Sequence, residues 1–220
     1  MKRKTVVCIF AHPDDEAFGP SGTIHNLTKT HNVYILCATK GQAGKDSRQN
    51  HDVKLEDDRA QELLESAKVL GVKKVYFLGF KDGTLSNNLY HKLAAKVQKH
   101  IEKLQPEIVM TFESRGISGH IDHIAVSMVT QFVLRGNKTV KELWLNCVKK
   151  GREEFRNDYF IYFPQGYDTS EIDKVVDVTL VWDIKVKAMM CHKSQKHDAE
   201  SILKVAEKFP KEEYFIVKTY

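Results

Sequence analysis

The stretch VVCIFAHPDDEAFGPSG, residues 6–22, decides how this chain of 220 residues is interpreted. It opens with an apolar run rich in β-branched residues, which is typical of a strand buried on both faces. The run ends at His12, and the next four residues are Pro13, Asp14, Asp15 and Glu16. One histidine and three carboxylates directly after a buried strand predict a functional site at this end of the strand.

Strand-like and helix-like segments alternate outward from this stretch. Strands are predicted at 4–11, 32–38, 73–80, 107–112 and 141–148, and the intervening helices begin near residue 21 and span 57–70, 85–105 and 121–134. Beyond residue 150 the pattern is less regular, with strands at 159–164 and 175–180 and helices at 183–192 and 198–209. Helices between successive strands indicate βαβ units. The sequence therefore predicts one α/β domain with helices on both faces of a mostly parallel sheet.

Composition excludes several classes of protein. The chain is 42% hydrophobic and 29% charged, and it has no run near the ~18 apolar residues of a membrane span. The basic start lacks a small-residue cleavage site, so no signal peptide is expected. The four cysteines are far apart, which favours free thiols and a cytoplasmic location. The net charge of +5 comes from lysines scattered among glutamates, so no nucleic-acid partner is expected.

A second polar loop follows the fourth predicted strand. Residues 113–123 include His120, Asp122 and His123. Ligands of open α/β sheets bind beyond the carboxyl ends of the strands, so this loop and residues 12–16 can converge. Imidazoles and one carboxylate can hold Zn²⁺ and leave a position for water, while a second carboxylate accepts a proton. An Asp-Asp pair alone usually caps a helix, and His-x-x-His alone is a weak signal. Their joint occurrence predicts a hydrolytic metal site.

The two motifs, Ala11–Glu16 and Gly119–His123, resemble those of the PIG-L/LmbE family of zinc-dependent N-deacetylases. Three further segments are similar to family patterns, namely Arg59-Ala60-Gln61-Glu62, Leu78–Gly83 and His192-Lys193-Ser194-Gln195. The resemblance covers nearly the whole chain. It implies a Rossmann-like three-layer α/β/α fold and a single deacetylase domain over residues 1–220.

The resemblance also implies roles for individual residues. One Zn²⁺ per chain would be bound by His12, Asp15 and His123. The catalytic residues would be Asp14 as general base, His120 as stabiliser of the oxyanion and Asp122 as the orienting partner of a histidine. The implied reaction removes the N-acetyl group from a small N-acetylglucosamine-containing substrate and releases acetate and a free amine.

Three more residues are predicted to bind substrate: Arg59, Asp82 and Arg115. His192 is left open between a structural and a functional role. The sequence departs from the family pattern in three places. Ile121 stands where proline is frequent, Gln42 stands where an acidic residue is expected, and Glu113-Ser114-Arg115 replaces a more usual glycine-rich approach to the second motif. The departure at Gln42 puts a role of the loop at 39–57 in doubt.

Other functions stay open at this point. Two histidines and a carboxylate also describe a non-haem Fe(II) oxygenase, although Asp14 has no purpose there. A zinc amidase acting on a non-sugar acyl amine and an inactive saccharide-binding module on the same fold are further alternatives. The sequence does not decide the acceptor sugar, the native metal or whether the chain forms a homo-oligomer.

Overall fold

The computed structural model describes residues 3–48, 51–152 and 162–220. Its strands are β1 (Thr5–Phe10), β2 (Asn32–Cys37), β3 (Lys74–Phe77), β4 (Ile108–Phe112), β5 (Glu142–Cys147), β6 (Lys174–Asp177) and β7 (Glu212–Thr219). Across the described ranges these seven strands form one sheet in the order β3-β2-β1-β4-β5-β7-β6. The first five are parallel, β7 is antiparallel to β5, and β6 at the edge is antiparallel to β7.

Strand β1 lies in the middle of the sheet because its side chains are apolar on both faces. Val6 is in register with Val33 of β2 on one side and with Ile108 of β4 on the other. Residues 6–11 are buried throughout. The chain proceeds from β1 to β2 in one direction, whereas β4 and β5 extend the sheet in the other. Such a switch point leaves a crevice at the carboxyl ends of β1 and β4, where ligands of open α/β sheets bind.

Helices cover both faces of the sheet. They are α1 (Asp15–Phe18), α2 (Ser21–Thr28), α3 (Leu55–Leu70), α4 (Tyr90–Leu104), α5 (Gly116–Gly119), α6 (Ile121–Leu134), α7 (Trp182–Met189) and α8 (Lys196–Ala206). Helices α2, α3 and α7 pack on one another in one layer, and α4 packs on α6 in another. The predicted Rossmann-like α/β fold with a mostly parallel sheet in a single domain is confirmed.

The C-terminal part differs most from the sequence prediction. The strand predicted at 175–180 ends at Asp177, and a 3₁₀ turn follows at Thr179–Val181. In the strand predicted at 159–164, residues 159–161 lie outside the described residues, and 162–164 form no regular element. The final helix ends at Ala206, and the unpredicted strand β7 then pairs with β5. The domain boundaries 1–220 stay a prediction.

In the part of the chain that the structure describes, no helix combines the length and the apolar character needed to cross a membrane. The four cysteines, all within the described ranges, are free thiols.

Candidate active site

The two polar loops predicted from the sequence meet at the switch point. His12 follows β1, His123 lies in the first turn of α6 beyond β4, and their ring centroids are 5.2 Å apart. The ring of His120, just before α6, lies 4.8 Å from each of the other two rings. Adjacent parallel strands thus bring together residues more than one hundred positions apart in the sequence.

The loop after β1 separates the roles of two neighbouring carboxylates. Asp15 turns back toward the strand, and its Oδ2 accepts hydrogen bonds from the amides of Ala11 (3.1 Å) and His12 (2.7 Å). Asp14 adopts a positive φ of 108°, which is uncommon for a residue other than glycine. Because the backbone turns sharply here, the side chain of Asp14 faces Arg59 instead.

Three potential ligand atoms converge between the loops. Nδ1 of His12 lies 3.2 Å from Nε2 of His123. Nε2 of His123 lies 3.2 Å from Oδ1 of Asp15, and the other oxygen of Asp15 lies 3.7 Å from Nδ1 of His12. This histidine–aspartate–histidine group can hold a metal ion.

The ring nitrogens of His12 and His123 that point away from the centre of the site already have hydrogen-bond partners. Nδ1 of His123 lies 3.1 Å from the carbonyl oxygen of Gly116, which can only accept, so Nδ1 carries the proton. Nε2 of His12 lies 2.9 Å from a carboxylate oxygen of Asp82 and 3.2 Å from one of Asp122. Nε2 of His123 faces Nδ1 of His12 and a carboxylate oxygen of Asp15 across the centre of the site. A proton on one of the two facing ring nitrogens, or a metal ion between them, satisfies this arrangement.

The electrostatics of the pocket favour a positive charge at the same place. Burial acts to lower the pKa of His12, but hydrogen bonds with Asp122 and Asp82 and the charge of Asp15 raise it to about 10. Burial acts to raise the pKa of Asp15, and His123 and His12 nevertheless hold it well below its usual range. The donor set therefore fits a divalent cation, which would replace the proton of His12.

Asp122 holds the ring of His12 from the far side. Its carboxylate also accepts hydrogen bonds from the amides of Gly83 (2.8 Å) and Leu85 (3.0 Å). These two bonds fix the carboxylate, so the ring of His12 is fixed in turn. Carboxylates in such positions orient histidine ligands of metals.

His120 is kept neutral with its proton on the outward nitrogen. The amide of Asp122 donates to Nδ1 of His120 at 3.2 Å, so the proton of the neutral ring is on Nε2. Burial lowers the pKa of His120 to about 4, and the charges of His123 and His12 act in the same direction. At neutral pH this ring offers an N–H donor beside the cation site.

The carboxyl of Asp14, the predicted general base, has a raised pKa. Burial raises its pKa from 3.8 to about 6, although the nearby Arg59 guanidinium opposes the rise. Oδ2 of Asp14 lies 2.7 Å from Nη2 of Arg59. A carboxylate with a pKa closer to neutral both accepts and returns a proton more readily. A bound dication would act in the same direction as Arg59 and lower the pKa of Asp14.

Arg59 is enclosed by the loop that follows β2. Its side chain is only 4% exposed and donates to the carbonyl oxygens of Pro13 (2.7 Å) and Gly41 (2.6 Å). A Cβ atom at Gly41 or Gly44 would overlap the guanidinium, so both positions need glycine. The loop therefore has a defined task at the site, even though Gln42 departs from the family pattern.

We expect Arg59→Met to shift the pH dependence of catalysis. Removing the cation raises the pKa of Asp14, which must be ionised to act as a base, so the acid limb of kcat/KM moves to higher pH. Activity should therefore fall more at pH 6 than at pH 8. A pH profile of kcat/KM checks this, with Arg59→Lys as a charge-preserving control. An equal loss at every pH would contradict the electrostatic role.

Asp82 and Arg115 occupy different positions in the site. Asp82 contacts His12 and accepts a hydrogen bond from the amide of Ala43 (2.9 Å). Arg115 is partly exposed, and its guanidinium stacks 3.9 Å from the ring centroid of Tyr167. Its Nε lies 3.4 Å from Oε2 of Glu113. Substrate binding by Arg59, Asp82 and Arg115 stays a prediction, and Arg115 is the most accessible of the three.

Buried glutamates that the sequence prediction did not include also shape the site. Glu113 receives hydrogen bonds from the amides of Arg115 (2.7 Å) and Ile117 (2.8 Å) and from the hydroxyl of Tyr167 (2.7 Å). It thereby holds a turn in which Ile117 has a positive φ of 64°. The sequence signal was available, because Glu113 follows β4 directly, as His12 nearly follows β1.

The fold and the donor set define a Rossmann-like α/β protein with a group that could hold a metal ion at its switch point. Residues 7–133 match the family model described as PIG-L, GlcNAc-PI de-N-acetylase, and the chain belongs to that family. De-N-acetylases are hydrolases of amide bonds. The resemblance and the class of enzyme predicted from the sequence are therefore confirmed.

Relatives with the same type of activity align over most of the chain. A probable N-acetyl-α-D-glucosaminyl L-malate deacetylase 2 of Bacillus cereus is 30% identical over 86% of this chain and 83% of its own length. The diacetylchitobiose deacetylase of Thermococcus kodakarensis is 30% identical over 87% of this chain and 70% of its own length. Their names agree with the predicted N-deacetylase and not with a non-sugar amidase or a binding module.

Two solved structures share the fold. The N,N'-diacetylchitobiose deacetylase of Pyrococcus horikoshii superposes with a TM-score of 0.72 at 23% identity, covering 99% of this chain and 85% of its own. The 4-carboxy-2-hydroxymuconate hydratase GalB of Pseudomonas putida gives 0.75 at 18% identity, covering 99% and 97%. The same fold thus supports a hydratase, so the reaction must be argued from the residues of the site.

Proposed function

We propose that this protein is a zinc-dependent hydrolase that removes the N-acetyl group from an N-acetylglucosamine-containing substrate. The observation that carries the proposal is the convergence of His12, Asp15 and His123, with Asp14 beside them and not among the three ligands. A structural ion site has no use for an additional buried carboxylate of raised pKa. Membership of the de-N-acetylase family and the names of the relatives support the same reaction.

Zinc suits the donor set because two imidazole nitrogens and one carboxylate oxygen are its usual catalytic ligands. Bound there, Zn²⁺ supplies a Lewis acid that lowers the pKa of water and polarises an amide carbonyl. Asp82 and Asp122 hold the ring of His12 in the orientation that this requires. One ion per chain is proposed.

Asp14 and His120 divide the proton transfer and the charge stabilisation between them. Asp14 accepts a proton from the attacking water and returns it to the amine nitrogen as the C–N bond breaks. Nε2–H of His120 donates a hydrogen bond to the carbonyl oxygen, on which negative charge develops. Asp14 therefore ends the reaction in the protonation state in which it began, and the products are acetate and a free amine.

The test is the release of free amine from a substrate panel by zinc-loaded protein, with Asp14→Ala as control. The panel contains N-acetylglucosamine, diacetylchitobiose and N-acetylglucosaminides of malate and inositol. Release from one member that is lost in the variant supports the proposal and identifies the substrate. Full zinc occupancy without release from any member would move the substrate outside this class and refute the proposed specificity.

Arg115 favours a substrate that carries a carboxylate or another anionic group. The guanidinium of Arg115 stacks with its face on Tyr167, and its Nε contacts Glu113. Its side chain is 36% exposed, and the adjacent Gly116 carbonyl is the one that holds His123. An arginine fork held near the ligands in this way suits recognition of a carboxylate. A glycoside of malate, as in the name of the Bacillus relative, has that chemistry.

We expect Arg115→Ala to raise KM for the malate glycoside about tenfold, as for loss of one charge-assisted hydrogen bond. KM for diacetylchitobiose, which is neutral, should change less than about twofold. The comparison of KM between the two substrates checks this, with Arg152→Ala, which stacks on Phe209 elsewhere, as a matched control. An equal rise for both substrates would exclude recognition of the anionic group.

A cytoplasmic location also belongs to the proposal. It rests on the four free cysteines, because reduced thiols are usual in that compartment. Oxidation of these thiols in protein purified under non-reducing conditions from its native source would argue against it.

A further inference from the structure

His192 lies far from the metal-binding motifs in the sequence but next to them in the fold. The side chain is fully buried, and its Nε2 lies 2.8 Å from Oε1 of Glu16. Nδ1 has no hydrogen-bond partner among the described residues. All hydrogen bonding of the ring is therefore directed to one carboxylate, 176 positions earlier in the chain.

Glu16 links His192 to Asp14, the proposed general base. Its second oxygen, Oε2, accepts a hydrogen bond from the backbone amide of Asp14 at 3.1 Å. Its first oxygen also accepts the hydroxyl of Ser66 at 2.6 Å. Asp14 is the residue with φ of 108°, and such a backbone persists only where the surroundings hold it. Glu16 is the side chain that holds it at the amide.

The residues after His192 hold the other segments that enclose Asp14. The amide and hydroxyl of Ser194 donate to Glu62 of α3 at 2.8 and 2.6 Å. The amide group of Gln195 donates to the carbonyl oxygen of Lys45, in the loop that encloses Arg59. Arg59 itself lies on α3 and contacts Asp14. The segment 192–195 thus contacts Glu16, helix α3 and the loop after β2, which together surround Asp14.

We propose that His192 is a positioning residue for catalysis, which acts through Glu16 to fix the backbone of Asp14. The inference rests on the proposed function, because Asp14 matters only if it transfers a proton. It assigns a task to a buried histidine that the proposed chemistry does not use. A positioning residue affects the rate of the chemical step more than substrate binding, since a small displacement of the base already costs rate.

The test compares His192→Leu with His192→Gln in the zinc-loaded protein. We expect His192→Leu to lower kcat on the order of 10- to 100-fold, with KM and zinc content within about twofold of the wild type. Gln can place an N–H near the position of Nε2, so His192→Gln should recover most of the rate. The matched control is His25→Leu. The ring of this partly buried histidine also makes one hydrogen bond, in which Nδ1 lies 3.2 Å from the carbonyl oxygen of Leu70.

Wild-type kcat in folded His192→Leu would overturn the proposal, as would a His192→Gln variant that is as slow as His192→Leu. If His192→Leu does not fold, Ser66→Ala removes the other donor to the same oxygen of Glu16. Lower kcat at unchanged KM would then support positioning, and unchanged kcat would refute it. A wild-type protein without Asp14-dependent amine release is a different result, because it refutes the proposed function itself.

Discussion

Asp14→Asn is expected to lower kcat by at least about 10³-fold while zinc stays bound. General acid–base catalysis contributes about 10²–10⁴ to a rate, and the proposed reaction uses Asp14 both as base and as acid. Asparagine has the same shape, and its amide oxygen can still accept the hydrogen bond from Arg59. The substitution therefore removes the proton acceptor and leaves the three proposed ligands in place. Amine release and metal analysis on the same sample measure both quantities.

The control for this variant is Asp57→Asn, which removes an exposed carboxylate on α3 whose partner is Lys40. It should leave kcat within about twofold, because an exposed ion pair contributes little. Normal turnover by zinc-loaded Asp14→Asn would show that another group transfers the proton. Loss of zinc in that variant would show that Asp14 is a ligand, which contradicts the assignment.

The central part of the fold was predictable because the sequence of each strand is itself sufficient to indicate a buried strand. Strand β1 and its parallel neighbours are continuous apolar runs, and helices with a clear apolar face separate them. Strand β7 was missed for a physical reason. It opens with two acidic residues, and Glu213 is buried only because Lys185 (2.7 Å) and the amides of Gly22 (3.0 Å) and Thr23 (2.7 Å) neutralise it. Those partners are remote in sequence and give no local signal.

The same distinction applies to the site. The convergence of His12 and His123 followed from general topology, since both come after parallel strands at one edge of a sheet. The tasks of Glu16 and Glu113 did not, because a glutamate in a sequence is most often a solvated residue. Only the fold shows that each receives several hydrogen bonds away from water. The contacts made by His192 and Tyr167 depend on the same long-range packing.

The structure was also needed to distinguish polar residues that contact the substrate from those that pair with other residues of the site. From sequence, Arg59 and Asp82 were predicted to meet the substrate. In the fold each already has a charged partner in the site, Asp14 and His12 respectively. A buried ion pair that loses one member leaves the other uncompensated. This supports the proposal that both residues position catalytic groups, with substrate contact as a separate question for each.

His123→Ala is expected to abolish both zinc binding and activity, in contrast to Asp14→Asn. His123 provides one of the three atoms proposed as zinc ligands, and the remaining two cannot close a site. Loss of a residue that only orients a ligand typically weakens metal affinity 10- to 100-fold. Loss of a ligand itself should therefore cost more than about 100-fold, whereas Asp82→Asn should fall within that range. A competition titration against a chelator of known affinity measures both.

The pH dependence of the titration separates a specific site from zinc held by surface histidines. A metal ion at His12 must displace a proton whose pKa is raised to about 10, so affinity should rise with pH through and above neutrality. Zinc on exposed histidines would lose its pH dependence above about 7, because free imidazole is neutral there. His91→Ala, an exposed histidine of α4, is the matched control and should retain full affinity. Equal zinc affinity of His123→Ala and His91→Ala would refute the ligand assignment, whatever activity remained.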